Sequence, residues 1–242
     1  EKIMPKFLEA GYRIPNDIEF EVFTDGSKTP ELKSAGWGFW GVFLNKNTGL
    51  AVQTVESFGP VGGSDQTNMT GELCAILNSL KEITLLANNT KCLIRFDCIP
   101  AMMLATGVYR CKKNDALVDL VHTEWKKVAE THVLYHQHAK GHSKIYGNVR
   151  ADKAAEKGAT VGEVQKKYVD VTELGGIVRF VEYYHPGDCG RDCDLERKNA
   201  GKVKARRQKV FNKNSDNHYR AILGHARFLE PEVRKTISEI LK

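Results

Sequence analysis

The chain has 242 residues, which is enough for one large domain or for one ordinary domain with an extension. Its hydrophobic fraction of 41% is compatible with a packed core, and its formal net charge of +6 favours an anionic partner. No apolar run approaches the ~20 residues that a membrane-spanning helix needs, and no secretory signal is visible, so we expect no membrane partner.

The positive charge is concentrated towards the end of the chain. Residues 1–160 contain 19 Lys and Arg against 18 Asp and Glu, whereas residues 161–242 contain 17 against 12. We predict three parts: a lead over 1–18, a globular domain over 19–160 and a basic extension over 161–242. The charge difference marks the boundary between the second part and the third.

Cysteine usage favours a reducing intracellular compartment, in the first instance the cytoplasm. Four cysteines lie on or near apolar runs, where a free cysteine behaves as a small hydrophobe: Cys74, Cys92, Cys98 and Cys111. The other two, Cys189 and Cys193, stand near His185 in "HPGDCGRDCD" at irregular spacing. A zinc site and a loop with free thiols both stay open for that segment.

Three strands are predicted first, after a short amphipathic piece in the lead. They are "FEVFTDGS" (20–27), the aromatic-rich "GWGFWGVFLN" (36–45) and "TGLAVQTVESFG" (48–59). Their short links, with a turn signal at Asn47-Thr48-Gly49, predict an antiparallel meander.

The pattern then changes to helical spacing at 70–86, with Thr70 as a possible cap. The remaining predicted elements are a strand at 91–97, helices at 99–108 and 115–130, a strand at 132–138 and an Ala-rich helix at 146–159. We therefore predict an α/β fold with a five-stranded mixed sheet, three antiparallel strands and then two parallel ones, flanked by helices. In the extension, a strand is predicted at 175–185 and helical segments from 195 onwards.

Four acidic residues occupy matching places in this predicted topology. Asp25 and Asp97 end strands, Glu72 lies in the first turn of a helix, and Asp152 lies early in the last helix. Each alone has an ordinary interpretation as a turn residue, a helix-terminal charge, a cap or a solvated side chain. Strand ends and helix starts can meet in one crevice, and four carboxylates there would need hard cations such as Mg²⁺.

The four motifs around these acids make the chain resemble the type-1 ribonucleases H over residues 19–158. They are "TDGS" (24–27), "TNMTGELCAI" (67–76), "RFDC" (95–98) and "KGHSKIYGNVRADKAA" (140–155). The resemblance implies the RNase H-like fold and Mg²⁺-dependent cleavage of the RNA strand of RNA–DNA hybrids. It further implies two Mg²⁺ ions, replaceable by Mn²⁺, and products with 5′-phosphate and 3′-hydroxyl ends.

The resemblance also implies a role for each acid. Asp25 would bridge the two ions, Asp152 would hold the ion that activates water, and Glu72 and Asp97 would hold the ion at the leaving group. His142 would assist proton transfer or product release. Gly26 would let the substrate backbone come close.

Contacts to the nucleic acid follow from the same resemblance. Asn68, Glu72 and the backbone at Gly26 and Ser27 match positions that read 2′-hydroxyls, the group that distinguishes RNA from DNA. Thr67 matches a position that holds a DNA-strand phosphate, and Asn148 one near the entrance to the site. The sequence departs from the family pattern at Met69, where a second Asn is frequent, and at Cys98, where Ser is usual.

The basic protrusion that many family members use to hold the DNA strand is short here. It offers Tyr109, for which stacking and a core role both stay open, together with Arg110, Lys112 and Lys113. The extension could compensate, because 196–213 contains eight Lys and Arg against one acid. The residues that we expect to contact phosphates there are Lys202, Lys204, Arg206 and Arg207.

Three alternatives remain open at this point. The domain could be a catalytically silent nucleic-acid-binding module, although all four acidic positions are filled. It could be the RNase H domain of a larger replication or reverse-transcription protein. It could also be a resolvase-like or transposase-like nuclease acting on DNA. The sequence gives no protein partner for the extension.

Overall fold

The computed structural model of the protein describes residues 6–8, 17–29, 31–110, 115–139 and 146–174. Several predicted features lie outside these ranges. They are His142, the pair Lys112 and Lys113, the segment with His185, Cys189 and Cys193, and the basic residues Lys202, Lys204, Arg206 and Arg207. The segments predicted from 175 onwards lie outside them as well.

Seven strands and four α-helices are present in the described ranges. The strands are β1 (Lys6–Leu8), β2 (Phe20–Thr29), β3 (Ser34–Leu44), β4 (Ala51–Pro60), β5 (Lys91–Phe96), β6 (Val133–His138) and β7 (Gln165–Asp170). The helices are α1 (Asn68–Ile83), α2 (Ile99–Ala105), α3 (Asp115–Thr131) and α4 (Tyr146–Val161). A short 3-10 helix, Thr172–Leu174, follows β7. None of these helices is long and apolar enough to span a membrane.

All seven strands form one mixed sheet in the order β1-β6-β5-β2-β3-β4-β7. Its centre confirms the predicted arrangement, because β2, β3 and β4 form an antiparallel meander and β5 and β6 continue it in parallel. The prediction of five strands was too low. Strand β1 pairs with β6 in parallel, and β7 pairs with β4 in antiparallel orientation. In sequence, β1 precedes the predicted domain of 19–160 and β7 follows it.

The sequence did not predict β7 because "QKKYVD" has almost no apolar content. Five of its six residues are exposed and the sixth is half-buried, as suits an edge strand that packs little. Its neighbouring residues Val169 and Tyr168 point to opposite faces of the sheet. Val169 packs against the core on the α4 side, and the ring of Tyr168 packs near the ring of Phe43 on the other side.

Alternate side chains of β2 and β5 pack into two cores, one on each face of the sheet. Phe20, Val22 and Ile94 belong to the core that α1, α2 and α3 cover. Phe23 and Leu93 belong to the core on the α4 side. Both faces of the central strands are therefore buried, as expected for strands in a parallel or mixed sheet with helices on both sides.

Helix α1 begins two residues earlier than predicted. Thr67, and not Thr70, is the N-cap, and the two threonines form a reciprocal capping box in which each side chain accepts a hydrogen bond from the other's backbone N–H. The earlier start places Glu72 beyond the first turn, which contains no acidic residue. A favourable interaction with the helix N-terminus therefore does not explain Glu72.

Candidate active site

Asp25 and Asp97 are brought together by the end of the parallel pairing between β2 and β5. The last register pair is Thr24 with Phe96, so both aspartates stand one residue beyond it. The prediction that Asp25 ends its strand was wrong, because β2 continues to Thr29 and pairs Asp25 with Gly38 of β3. Asp97 is not a helix cap either, since the N-cap of α2 is Cys98.

Glu72 approaches Asp25 because α1 packs very closely on β2. A Cβ atom added to Gly26 would lie 2.2 Å from Glu72 N and 2.5 Å from the carbonyl carbon of Gly71. Such a distance is a steric clash, so only glycine fits at this position of β2. The structure thus gives Gly26 a packing role against α1, in addition to any approach of a substrate backbone.

The carboxylates of Asp25, Glu72 and Asp97 form one cluster, in which one oxygen of each lies within 4.8 Å of the others. Asp25 and Glu72 are each 7% exposed, and Asp97 is half-buried. Asp25 Oδ1 accepts a hydrogen bond of 2.8 Å from the N–H of Gly26. Glu72 Oε2 is buried and has no hydrogen-bond partner among the described residues.

This proximity raises the pKa of two of the carboxyl groups. Burial, followed by the charges of Asp97 and Asp152, raises the pKa of Asp25 to about 8. Burial, followed by the charges of Asp25 and Asp97, raises the pKa of Glu72 well above its usual range. Asp152, half-buried on α4, lies outside the 4.8 Å cluster but close enough to act electrostatically on Asp25.

A cation fits this group of residues better than protons do at neutral pH. A buried carboxylate oxygen without a partner is costly, and several negative charges in one pocket repel each other. The donor set consists of carboxylate oxygens alone, which suits hard divalent ions such as Mg²⁺ and Mn²⁺. We therefore treat the cluster as a candidate site for divalent metal, with Asp25, Glu72 and Asp97 as ligands and Asp152 beside them.

Several residues predicted to contact substrate lie in the described part of the chain. Asn68 is exposed at the first position of α1, directly after Thr67, and Ser27 is half-buried two residues after Asp25. Asn148 lies one helical turn before Asp152 on α4; it is 3% exposed, and its Oδ1 has no partner within the described part of the chain. Tyr109 is 51% exposed, which contradicts a core role for it.

The two departures from the family pattern have structural explanations. Met69 and Cys98 are both half-buried and pack against the core on the α1 side of the sheet. Burial raises the pKa of the Cys98 thiol to about 11, so this thiol is neutral at physiological pH and behaves as a small apolar residue.

One contact at the site was missed by sequence reasoning, and it involves one of two histidines on β6, His136 and His138. His136 is 3% exposed, packs edge-on against Trp125 and has its pKa lowered to about 4 by burial, as expected for a structural residue. His138 instead ends β6 in register with Phe96, and its Nε2 lies 3.2 Å from the backbone oxygen of Asp97. The register between β5 and β6 was the only signal that could have revealed this contact.

A family model described as RNase H matches residues 17–160 of this chain. The chain belongs to the RNase H family. The match includes all four acidic residues and explains why the fold follows the predicted order of strands and helices. The comparison with curated proteins found no significant match.

Solved structures of RNase H proteins resemble this chain in fold. LC9-RNase H1, described as a type 1 RNase H with the type 2 active-site motif, has a TM-score of 0.51 at 16% identity, covering 65% of this chain and 79% of that one. RNase H1 from the halophilic archaeon Halobacterium salinarum has a TM-score of 0.44 at 18% identity over 57% and 96% of the two chains. The N-terminal RNase H domain of a Mycobacterium tuberculosis protein has 0.44 at 20% identity over 59% and 99%.

Proposed function

We propose that this protein is a divalent-metal-dependent endonuclease that hydrolyses the RNA strand of RNA–DNA hybrids. Family membership supports a nuclease, and the cluster of Asp25, Glu72 and Asp97 with its unpartnered buried oxygen is the observation that carries the proposal. Products with 5′-phosphate and 3′-hydroxyl ends are part of the proposal.

Each acidic residue has a proposed role at the metal site. Asp25, which lies in the cluster and is affected by the charge of Asp152, would contact both of two Mg²⁺ ions. Glu72 and Asp97 would hold one of them and Asp152 the other. When bound, such ions stabilise the charge on the attacking and departing oxygens, and Mn²⁺ would serve in place of Mg²⁺. The protein's contribution is to hold the carboxylates in place before substrate arrives, since three of them lie on rigid strands or helices and Asp97 directly follows β5.

Substrate positioning falls to residues at the start of α1 and around β2. Asn68, exposed beside Glu72, would hydrogen-bond to 2′-hydroxyls of the RNA strand, together with the backbone at Gly26 and Ser27. Thr67 would hold a phosphate of the DNA strand, and Asn148 would line the entrance near Asp152. His142 would assist proton transfer or product release.

The basic extension would add contacts to the hybrid that the short protrusion does not supply. The first described part of the predicted extension, β7 and the following 3-10 helix, is joined to the sheet through β4, so the proposed contacts to the hybrid belong to the residues after it. Tyr109, Lys112 and Lys113 would provide the limited contacts of the protrusion, and Lys202, Lys204, Arg206 and Arg207 would bind phosphates without sequence preference.

The deciding experiment is cleavage of an end-labelled hybrid beside matched duplex RNA, duplex DNA and both single strands, with Mg²⁺ and with a chelator. We expect cleavage of the hybrid alone, within its RNA strand and only with the metal. Tight binding of the hybrid without cleavage would instead indicate a silent binding module. Cleavage of duplex DNA would indicate a nuclease of the wider superfamily.

A further inference from the structure

The side chain of Gln66 completes the ladder between β3 and β4 at the point where the chain leaves the sheet. The last register pair is Gly36 with Pro60, and the next two residues, Ala35 and Val61, share only one direct bond, from Val61 N to Ala35 O at 2.9 Å. In a regular antiparallel ladder such a pair would exchange two bonds.

The amide of Gln66 occupies the place of the missing bond. Its Oε1 accepts from Ala35 N at 2.7 Å, and its Nε2 donates to Val61 O at 2.9 Å. The same Nε2 donates to Gly63 O at 2.7 Å. One half-buried side chain therefore forms hydrogen bonds with three backbone groups, the N–H of Ala35 and the carbonyl oxygens of Val61 and Gly63.

The segment that Gln66 closes has little else to hold it. Gly62 and Gly63 have open space where a Cβ would be, Gly63 has a φ of +85°, and Ser64 and Asp65 are exposed. Two further bonds found there run from Thr70 Oγ1 to Asp65 O at 2.8 Å and from Gln66 N to Ser64 O at 3.2 Å. Val61 is buried in the core, but the two adjacent glycines that follow give the backbone wide freedom. The Gln66 amide is therefore a main constraint on the conformation of 62–65.

Gln66 is followed immediately by Thr67 and Asn68, the first residues of the helix start. Glu72, one turn further, is held independently by the close packing of Gly71 on Gly26 and on Gly36 O. Thr67 is also held by its capping box with Thr70, and Asn68 O lies close to Gly26. Changes at Gln66 should therefore loosen Thr67 and Asn68 on the side of the preceding loop and leave the carboxylate cluster in place.

We propose that Gln66 is a positioning residue that fixes Thr67 and Asn68 for contact with the nucleic acid. This inference rests on the proposed function for its substrate, an RNA–DNA hybrid. It assigns to the carboxamide a role in substrate affinity, separate from the metal-binding carboxylates that act in the chemical step.

The test compares Gln66→Met, which has similar length but no hydrogen-bonding amide, with Gln66→Glu, which keeps an acceptor for Ala35 N. Gln165→Met is the matched control, since Gln165 is exposed and its side-chain Nε2 donates to Glu163 Oε1 at the surface, a bond that lies outside the loop at 61–66. For each variant, KM and kcat on the hybrid are measured at saturating Mg²⁺, together with amide hydrogen exchange over 61–68.

We expect Gln66→Met to raise KM about tenfold with kcat within about twofold of wild type, because the lost bonds loosen substrate contacts alone. Amide exchange over 61–68 should be faster than in the wild type, while amide exchange in β5 should be unchanged. Gln66→Glu should give KM and exchange values between those of the wild type and Gln66→Met. Unchanged exchange, or faster exchange with an unchanged KM, would overturn the inference. If Gln66→Met does not fold, Gln66→Glu decides by the same criteria.

Failure of the proposed function is distinguishable from failure of this inference. If the wild-type protein cuts no hybrid, the dissociation constant for the hybrid replaces KM as the readout. A weaker constant for the Gln66 variants with faster exchange still supports positioning, whereas an unchanged constant, or no hybrid binding by the wild type, overturns it.

Discussion

Asp25 and Asp97 lie side by side because strand β5 ends one residue before Asp97 while β2 continues past Asp25. Both aspartates follow the last parallel pair, so their carboxylates reach the same edge of the sheet. The continuing pairing of β2 with β3 keeps Asp25 rigid, although its carboxyl group is buried beside two other acids. The topology itself therefore creates a pocket in which negative charge is concentrated.

Replacing Asp97 with Asn should abolish cleavage and leave the fold intact. The change removes one negative ligand but keeps the size of the side chain, so we expect a loss of roughly 10³-fold or more in kcat, equivalent to about 4 kcal/mol of transition-state stabilisation. Circular dichroism and the dissociation constant for the hybrid should stay close to wild type.

The matched control for this variant is Asp119→Asn on the exposed face of α3, far in sequence from the cluster. It should cleave at the wild-type rate, since it neutralises a solvated carboxylate. Normal turnover by Asp97→Asn with Mg²⁺ would show that the metal site is assigned to the wrong residues.

The stability of the metal-free protein should decrease as pH rises from about 4 to about 8. In the unfolded chain Asp25 ionises near its ordinary pKa of 3.8, whereas in the fold its pKa is raised to about 8. Between these values the folded state binds the extra proton, so the stabilisation is complete below the lower pKa and is lost as pH rises through the higher one. The slope is up to about 1.4 kcal/mol per pH unit for one such carboxyl.

Urea denaturation at pH 5 and pH 8 with a chelator measures this effect. Asp25→Asn should flatten the pH dependence, because its side chain cannot ionise. Adding Mg²⁺ should restore stability more at pH 8 than at pH 5, since the metal competes with protons for the same oxygens. Equal stabilisation by Mg²⁺ at both pH values would be inconsistent with binding at the cluster.

Gly26→Ala should impair both stability and metal binding. Its Cβ would overlap the backbone at Glu72 and Gly71, so α1 must move away from β2 and carry Glu72 with it. We expect a loss of about 2–3 kcal/mol in unfolding free energy, together with weaker Mg²⁺ binding by calorimetry. Gly62→Ala is the control, because an added Cβ meets nothing within 4 Å there; it should change stability by less than about 0.5 kcal/mol.

The central sheet was predictable from the sequence because apolar and aromatic residues marked β2 and β3 and helical spacing marked α1. The motifs singled out Asp25, Glu72 and Asp97, which the structure brings into one cluster, but the places assigned to Asp25 and Glu72 within their elements were wrong. The continuation of β2 past Asp25 was not predictable, since it depends on the pairing of β2 with β3 as far as Thr29.

Features that depend on partners distant in sequence could not be predicted. Strand β7 is polar and is defined by its pairing with β4, more than 100 residues earlier. The contact of His138 with Asp97 depends on the register between β5 and β6. The role of Gln66 depends on the end of the β3–β4 pairing at Pro60. None of these has a periodic or compositional signal in its own segment.

Strand β7 should be held to the domain by Glu82, a carboxylate near the end of α1 that is 2% exposed. Glu82 accepts hydrogen bonds from Lys166 Nζ at 2.6 Å and Tyr168 Oη at 2.5 Å. Tyr168→Phe should cost about 1.5–3 kcal/mol in unfolding free energy, the range for a hydrogen bond to a charged group, and should speed amide exchange in β7. Tyr109→Phe serves as the control for stability, and equal effects of the two changes would argue against a specific role for Glu82.

Neutralising the basic extension should weaken the salt dependence of hybrid binding. Each phosphate contact made by Lys or Arg contributes about −0.9 to the slope of log K against log salt on a B-form duplex, so Lys202, Lys204, Arg206 and Arg207 together could account for about 3.6 units. The full chain with all four changed to Gln should show a shallower slope, weaker binding at low salt and an unchanged kcat, because the carboxylate cluster is untouched. Changing Lys126 and Lys127 on α3 to Gln is the control for net charge. A slope equal to wild type in the fourfold variant would show that the extension does not contact the phosphates of the hybrid.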